Sequence, residues 1–108
     1  MANIYANAFY VPSTTAQTTT YTCNGTARAI VQNIQITNEG GSKNVKVYVY
    51  DSSTSSTNTI AFASISGPTI CNLAKGPIIL EENDALLIDT TSTTNLSGVI
   101  SILEVNRD

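Results

Sequence analysis

The chain has 108 residues, 42% apolar and only 12% charged, with a formal net charge of −3. That is one domain's worth of core, on a surface kept soluble by 27 Ser and Thr and 11 Asn more than by charge. The five basic residues, Arg28, Lys43, Lys46, Lys75 and Arg107, form no run able to neutralise several phosphates, which argues against a nucleic-acid partner. No apolar stretch reaches the roughly 20 residues of a membrane span.

Taken in order, the start Met1-Ala2-Asn3-Ile4-Tyr5 has neither the basic nor the apolar region of a secretory signal. Synthesis in a cytoplasm without secretion is therefore expected. Residues 4–11 suit an extended strand carrying Tyr5, Phe9 and Tyr10; Pro12 ends it, and 13–20 is a Thr-rich stretch of low complexity. Two readings stay open for this quarter of the chain, an edge strand with its loop or an arm that docks on a neighbouring subunit. In the second, Ile4, Tyr5, Phe9 and Tyr10 are the subunit-interface residues. Residues 1–27 then form the arm or edge strand and 28–108 the core of a single domain.

The pattern of residues 28–38 places Ile30, Ile34 and Ile36 on one face of a strand, with Val31, Asn33, Gln35 and Thr37 on the other. Glu39-Gly40-Gly41-Ser42 reads as a turn whose glycines tolerate positive φ. Residues 44–51 then alternate, with Val45, Val47 and Val49 inward and Lys46, Tyr48 and Tyr50 outward. These two runs predict a hairpin, with Tyr48 and Tyr50 as possible surface contacts. A Ser/Thr/Asn loop over 51–58 follows. Short strands are expected over 59–66, 69–74, 78–80, 85–91 and 98–105, separated by Gly67-Pro68, Gly76-Pro77, the turn 81–84 and the loop 92–97. Breakers about every ten residues mark an all-β fold. A single antiparallel β-sandwich, jelly-roll-like or immunoglobulin-like, of about eight short strands is predicted.

Candidate chemistry is sparse. Histidine is absent, which removes the Ser-His-Asp and Cys-His nucleophile arrangements and the commonest zinc ligand. Cys23 and Cys71 read as buried thiols or as one disulfide. Glu81-Glu82-Asn83-Asp84, with Asp89 nearby, reads as a solvated hairpin turn; calcium binding or paired-carboxylate catalysis are the alternatives. The triplets Asn24-Gly25-Thr26 and Asn95-Leu96-Ser97 match the glycosylation pattern by chance in an Asn- and Thr-rich chain. No enzyme, cofactor or metal is expected.

Several segments together resemble small virion proteins of tailed bacteriophages, especially those of marine cyanobacteria. They are Thr20-Tyr21-Thr22-Cys23 (with Asn24 where Pro is frequent), the strand from Ala29 to Ile36, and the Gly-Pro-hydrophobic run from Gly76 to Glu81. Asp84 to Ile88 and a closing strand from Val99 to Val105 complete the pattern. The resemblance implies a non-enzymatic virion protein that self-associates and docks on a major virion protein such as the capsid protein. A capsid decoration (cement) role is the leading expectation. A neck or tail accessory subunit and a host-glycan-binding module, the latter using Tyr48, Tyr50 and the 51–58 loop, are alternatives.

Overall fold

The structure is a computed structural model that describes residues 3–106; Met1, Ala2, Arg107 and Asp108 lie outside it. Nine strands run in the order β1 (Asn3–Tyr10), β2 (Thr18–Thr22), β3 (Ala27–Asn38), β4 (Lys43–Asp51), β5 (Ser56–Ile65), β6 (Thr69–Asn72), β7 (Ile78–Leu80), β8 (Ala85–Thr90) and β9 (Leu96–Asn106). They form two antiparallel sheets. Sheet A has the order β1-β9-β3-β6, with β7 also on β3, and sheet B the order β2-β8-β4-β5.

β6 and β7 are two halves of one edge strand. The first pairs with Gln35–Asn38 and the second with Ala29–Val31. Between them, Asn72 Oδ1 accepts the Ile34 and Ala74 amides, and the Leu73 amide bonds to the Ile34 carbonyl. Counted as one, they complete a four-on-four arrangement in which successive strands alternate between sheets, except β4 and β5, which pair as a hairpin within sheet B. This is the jelly roll, one of the two sandwich types expected.

One core lies between the sheets. Val31, Ile34 and Ile36 on β3 and Ile100 and Ile102 on β9 face Val45 and Val47 on β4 and Leu86 and Ile88 on β8, all at most 1% exposed. Each such side chain removed from water contributes roughly 1.5–3 kcal/mol. The ladder hydrogen bonds then hold the register that keeps these side chains inward.

Two readings of β3 need correcting. Val31, not Ile30, shares the inner face with Ile34 and Ile36, because the β3–β9 register shifts between Val31 and Asn33. Gln32 is the extra residue of that bulge, and one extra residue swaps the faces of everything beyond it. Nor do β3 and β4 form a hairpin: they lie in opposite sheets, and 39–42 is a crossover. Alternation shows that a strand has a buried face, not which strand lies beside it. Neither turn glycine uses positive φ; the left-handed positions are Ser55, Asn83 and Asn95.

The crossover is held by close approach. A Cβ on Gly67, which precedes Pro68 through a cis peptide bond, would lie 1.7 Å from the Gly40 carbonyl oxygen. Beneath it, buried Asn38 accepts from the Gly40 amide (3.1 Å) and Lys43 Nζ (2.9 Å) and donates to the carbonyls of Gly41 (2.9 Å) and Ile65 (3.2 Å).

Candidate interaction surfaces

The N-terminal residues belong to the sandwich itself. β1 pairs with β9 along its whole length, from Asn3 opposite Val105 to Tyr10 opposite Gly98. β2 forms the edge of sheet B, and the expected boundary at 27/28 falls inside β3. A projecting arm does not match this placement. Tyr10 is 1% exposed in the core of its own chain, out of reach of a neighbour. Ile4, Tyr5 and Phe9 remain exposed.

The register then assembles a surface from distant segments. Tyr5 lies opposite Leu103, Leu103 opposite Ile30, and Ile30 opposite Ile79. Directly opposite residues share a face, so these four form one apolar row across the outer face of sheet A. Its ends, Tyr5 at 79% and Ile79 at 63% exposure, are open to solvent. A second row runs from Phe9 through Val99 to Gln35 and Asn72. Between and beyond the two rows the outward positions are Asn, Ser and Thr, joined by Ile70 and Val105. Arg28 is the one charged outward strand position of this sheet among the described residues.

A sequence signal for this face existed. From Val99 to Val105, β9 is apolar on both sides, with Ile100 and Ile102 inward and Val99, Leu103 and Val105 outward. An ordinary two-sheet sandwich needs only one apolar face per strand.

The outer face of sheet B differs. Lys46 lies between Phe62 and Asp89 in the register, with its ammonium 5.7 Å from the Phe62 ring centre. Tyr48, expected to stand outward as a contact residue, is only 9% exposed and donates its hydroxyl to Asp89 Oδ2 at 2.6 Å. That bond, with burial, raises the Tyr48 pKa. Tyr50 is half-buried. With one tyrosine covered and its hydroxyl committed, the pair presents no stacking platform.

The acidic turn is structural. Asp84 is buried; its Oδ1 accepts the Ser52 amide (3.0 Å) and hydroxyl (3.2 Å), and its Oδ2 accepts the Glu81 amide (3.0 Å). Arg28 sits 3.8 Å from Glu81 and 3.5 Å from Glu82. The turn is thus not the fully solvated tip expected, because Asp84 folds back to tie it to β4's end. No group of three or more His, Cys, Asp or Glu side chains placed to hold a metal exists among the described residues.

Both thiols are free. Cys23 Sγ reaches the carbonyls of Ala27 and Leu80, while Cys71 lies opposite Ile36. Nine positions of β3 separate these places, about 30 Å at 3.3 Å per residue, far outside bridging distance. Burial pushes the Cys23 thiol pKa up, the opposite of an activated nucleophile.

No family model matches this chain, and no curated protein matches its sequence. Among solved structures, it is similar to a chain of the acidic stable capsid of Helicobacter pylori bacteriophage KHP30 (13% identity, TM-score 0.62), covering 100% of this chain and 90% of that one. Two more distant similarities have a TM-score of 0.45. One is to the Clostridium thermocellum xylanase 10B structure complexed with xylohexaose (18% identity, 80% of this chain and 17% of that one). The other is to infectious bursal disease virus, Gx strain (8% identity, 98% and 31%). The phage capsid chain shares the fold from end to end.

Proposed function

We propose that this chain is a non-enzymatic structural protein of a bacteriophage virion, docking in many copies on the head shell as a decoration (cement) protein. The outer face of sheet A carries this reading. One apolar row and a second that is apolar over Phe9 and Val99, flanked by amides and hydroxyls and with one charge, match the composition of an interface core better than that of a free surface. The end-to-end fold similarity to a phage capsid chain of nearly the same length supports it, since it is the whole small sandwich that corresponds.

The partner is then a major virion protein, and the protein resides in the virion. Neck or tail attachment would use the same face, because the docking surface and not the fold decides location. A glycan-binding role is not supported: jelly rolls also serve as lectins, but the covered Tyr48 removes the ring that role relied on.

The test is location and occupancy on purified particles. A copy number comparable to that of the major capsid protein is expected; one lower by an order of magnitude or more moves the protein to neck or tail. Ile79→Lys, at an exposed position, is expected to empty the particle sites while the isolated protein stays folded. Unchanged occupancy would sink the assignment of this face.

A further inference from the structure

Sheet edges expose unpaired backbone groups, and proteins blunt them with bulges, breaks, short strands, proline or lysine. Three of the four edges here are treated in that way. β2 has five residues and a register shift between Thr19 and Tyr21. β5 carries a bulge, with Ile60 as its extra residue opposite Val47/Tyr48, and the β6/β7 edge is broken in the middle. β1 carries none of these devices: eight residues, unbroken register, no charge and no proline.

We infer that the open edge of β1 pairs with the same edge of a second copy, antiparallel and centred on Asn7. A two-fold axis normal to the sheet keeps the outer faces together, so residues 3, 5, 7 and 9 must meet one another. Centring on Asn7 sets Tyr5 opposite the partner's Phe9, twice over, and Asn7 opposite the partner's Asn7. On the inner side Ala6 meets the partner's Ala8. Aromatic pairs are among the strongest cross-strand pairs, and no charge faces a like charge.

The alternative register, centred on Ala6, sets Tyr5 against the partner's Asn7 and Phe9 against the partner's Asn3, and loses both aromatic pairs. The Asn7 register also joins the apolar rows of the two molecules. Ile79, Ile30, Leu103 and Tyr5 continue directly into the partner's Phe9 and the partner's Val99.

The area suits reversible association. Tyr5 is 79% and Phe9 70% exposed. At about 150–250 Å² for each covered ring, four rings with two paired backbones bring the interface to on the order of 1,000 Å², the lower limit for a specific complex. At that size a weak, reversible dimer is expected of the isolated protein. The pairing uses the strand edge and is measured in solution, so it stands or falls separately from shell docking through the sheet face.

The experiment uses the full chain. Sedimentation over a concentration series is expected to show a monomer–dimer equilibrium. Asn7→Lys, which sets two ammonium groups face to face, should raise the dissociation constant at least ~10-fold and leave the unfolding midpoint unchanged. In a Cys71→Ser background, oxidation should cross-link Asn7→Cys, since opposed residues on antiparallel strands have Cα atoms about 4.5–5.5 Å apart. Ala6→Cys should not cross-link. A monomer up to millimolar concentration, a dimer indifferent to Asn7→Lys, or cross-linking at Ala6→Cys instead of Asn7→Cys would each overturn the pairing.

Discussion

Tyr21 on β2 donates its hydroxyl to Glu104 Oε2 on β9, joining sheet B to sheet A at one end of the sandwich across 83 positions of sequence. Each residue lies on a strand whose ladder pairing stays within its own sheet, so this bond resists the sheets' opening like a book. A hydrogen bond to a charged acceptor contributes about 1.5–3 kcal/mol. Tyr21→Phe is expected to lower stability by that order in denaturant unfolding. Glu104→Gln should cost less, because an amide oxygen still accepts. Equal stability of wild type and Tyr21→Phe would show that this bond adds nothing net to the joining of the sheets.

Tyr10 makes the opposite case. Its hydroxyl is buried with no hydrogen-bond partner among the described residues, while its ring fills the core beside β9. Removing an unsatisfied buried hydroxyl relieves a desolvation penalty. Tyr10→Phe is therefore expected to be neutral or to stabilise by up to about 1 kcal/mol. Tyr10→Ala should cost about 3–5 kcal/mol through the cavity it leaves. Deleting residues 1–12 would strip β9 of one of its two neighbours and empty the same space, so the truncated chain is expected to unfold.

At the far end, Asn38 and Lys43 differ in what their loss leaves behind. Lys43 is 4% exposed and donates to Asn38 Oδ1 and to the Gly41 carbonyl at 3.0 Å. Both acceptors have a second donor, the Gly40 amide and Asn38 Nδ2 respectively. Lys43→Met leaves neither orphaned, and its effect should stay within about 1 kcal/mol in either direction. Asn38→Leu instead strips the Gly40 amide and the Ile65 carbonyl together and should cost about 3 kcal/mol or more. Thermal unfolding of the two variants side by side decides this; a larger loss for Lys43→Met would contradict it.

Asp84 tests the acidic turn. Asp84→Ala orphans the Ser52 and Glu81 amides and should cost about 2–4 kcal/mol. Asp84→Asn also costs stability, since its amide nitrogen, itself a donor, must face either the Glu81 amide or the Ser52 amide and hydroxyl. Calcium is expected to leave the unfolding midpoint unchanged. A midpoint that rises with calcium, and only when Asp84 is intact, would restore the metal reading.

Much of the fold was legible in local pattern. Val45, Val47 and Val49 alternate without interruption, Gly67-Pro68 marks a real corner, and Gly76-Pro77 marks the break between the two halves of the β6/β7 edge. What was not legible depended on neighbours. The Gln32 bulge swaps the faces of β3, yet nothing in Val31-Gln32-Asn33 announces an extra residue. The strand at Thr18–Thr22 hides in a threonine run. Tyr48 alternates with valines like an exposed residue, and only Asp89, 41 positions away, explains its burial. The apolar row on sheet A needs four strands in register, so its members, Tyr5, Ile30, Ile79 and Leu103, are scattered along the chain.

Alkaline pH is expected to unfold this protein earlier than an average tyrosine-containing domain. Burial, with the nearby Asp89 charge, pushes Tyr10 up to about 12 from 10.0. Burial and the bond to Glu104 raise Tyr21, the bond to Asp89 and burial raise Tyr48, and burial raises Cys23 from 9.0. All four groups are neutral when protonated, and all hold their protons more tightly in the fold than in the open chain. Below about pH 8 both states are protonated, and this contribution is complete. As pH climbs past the unfolded values, the open chain releases protons that the fold retains, and stability falls until the folded groups titrate too. Denaturant midpoints measured from about pH 8 to about pH 12 should therefore decline steadily, with Tyr10 accounting for about 2 kcal/mol by the upper end. Tyr10→Phe should show a shallower decline over the same range. A flat profile in the wild type, or an identical slope in the variant, would mean that these hydroxyls ionise as freely inside the sandwich as outside it.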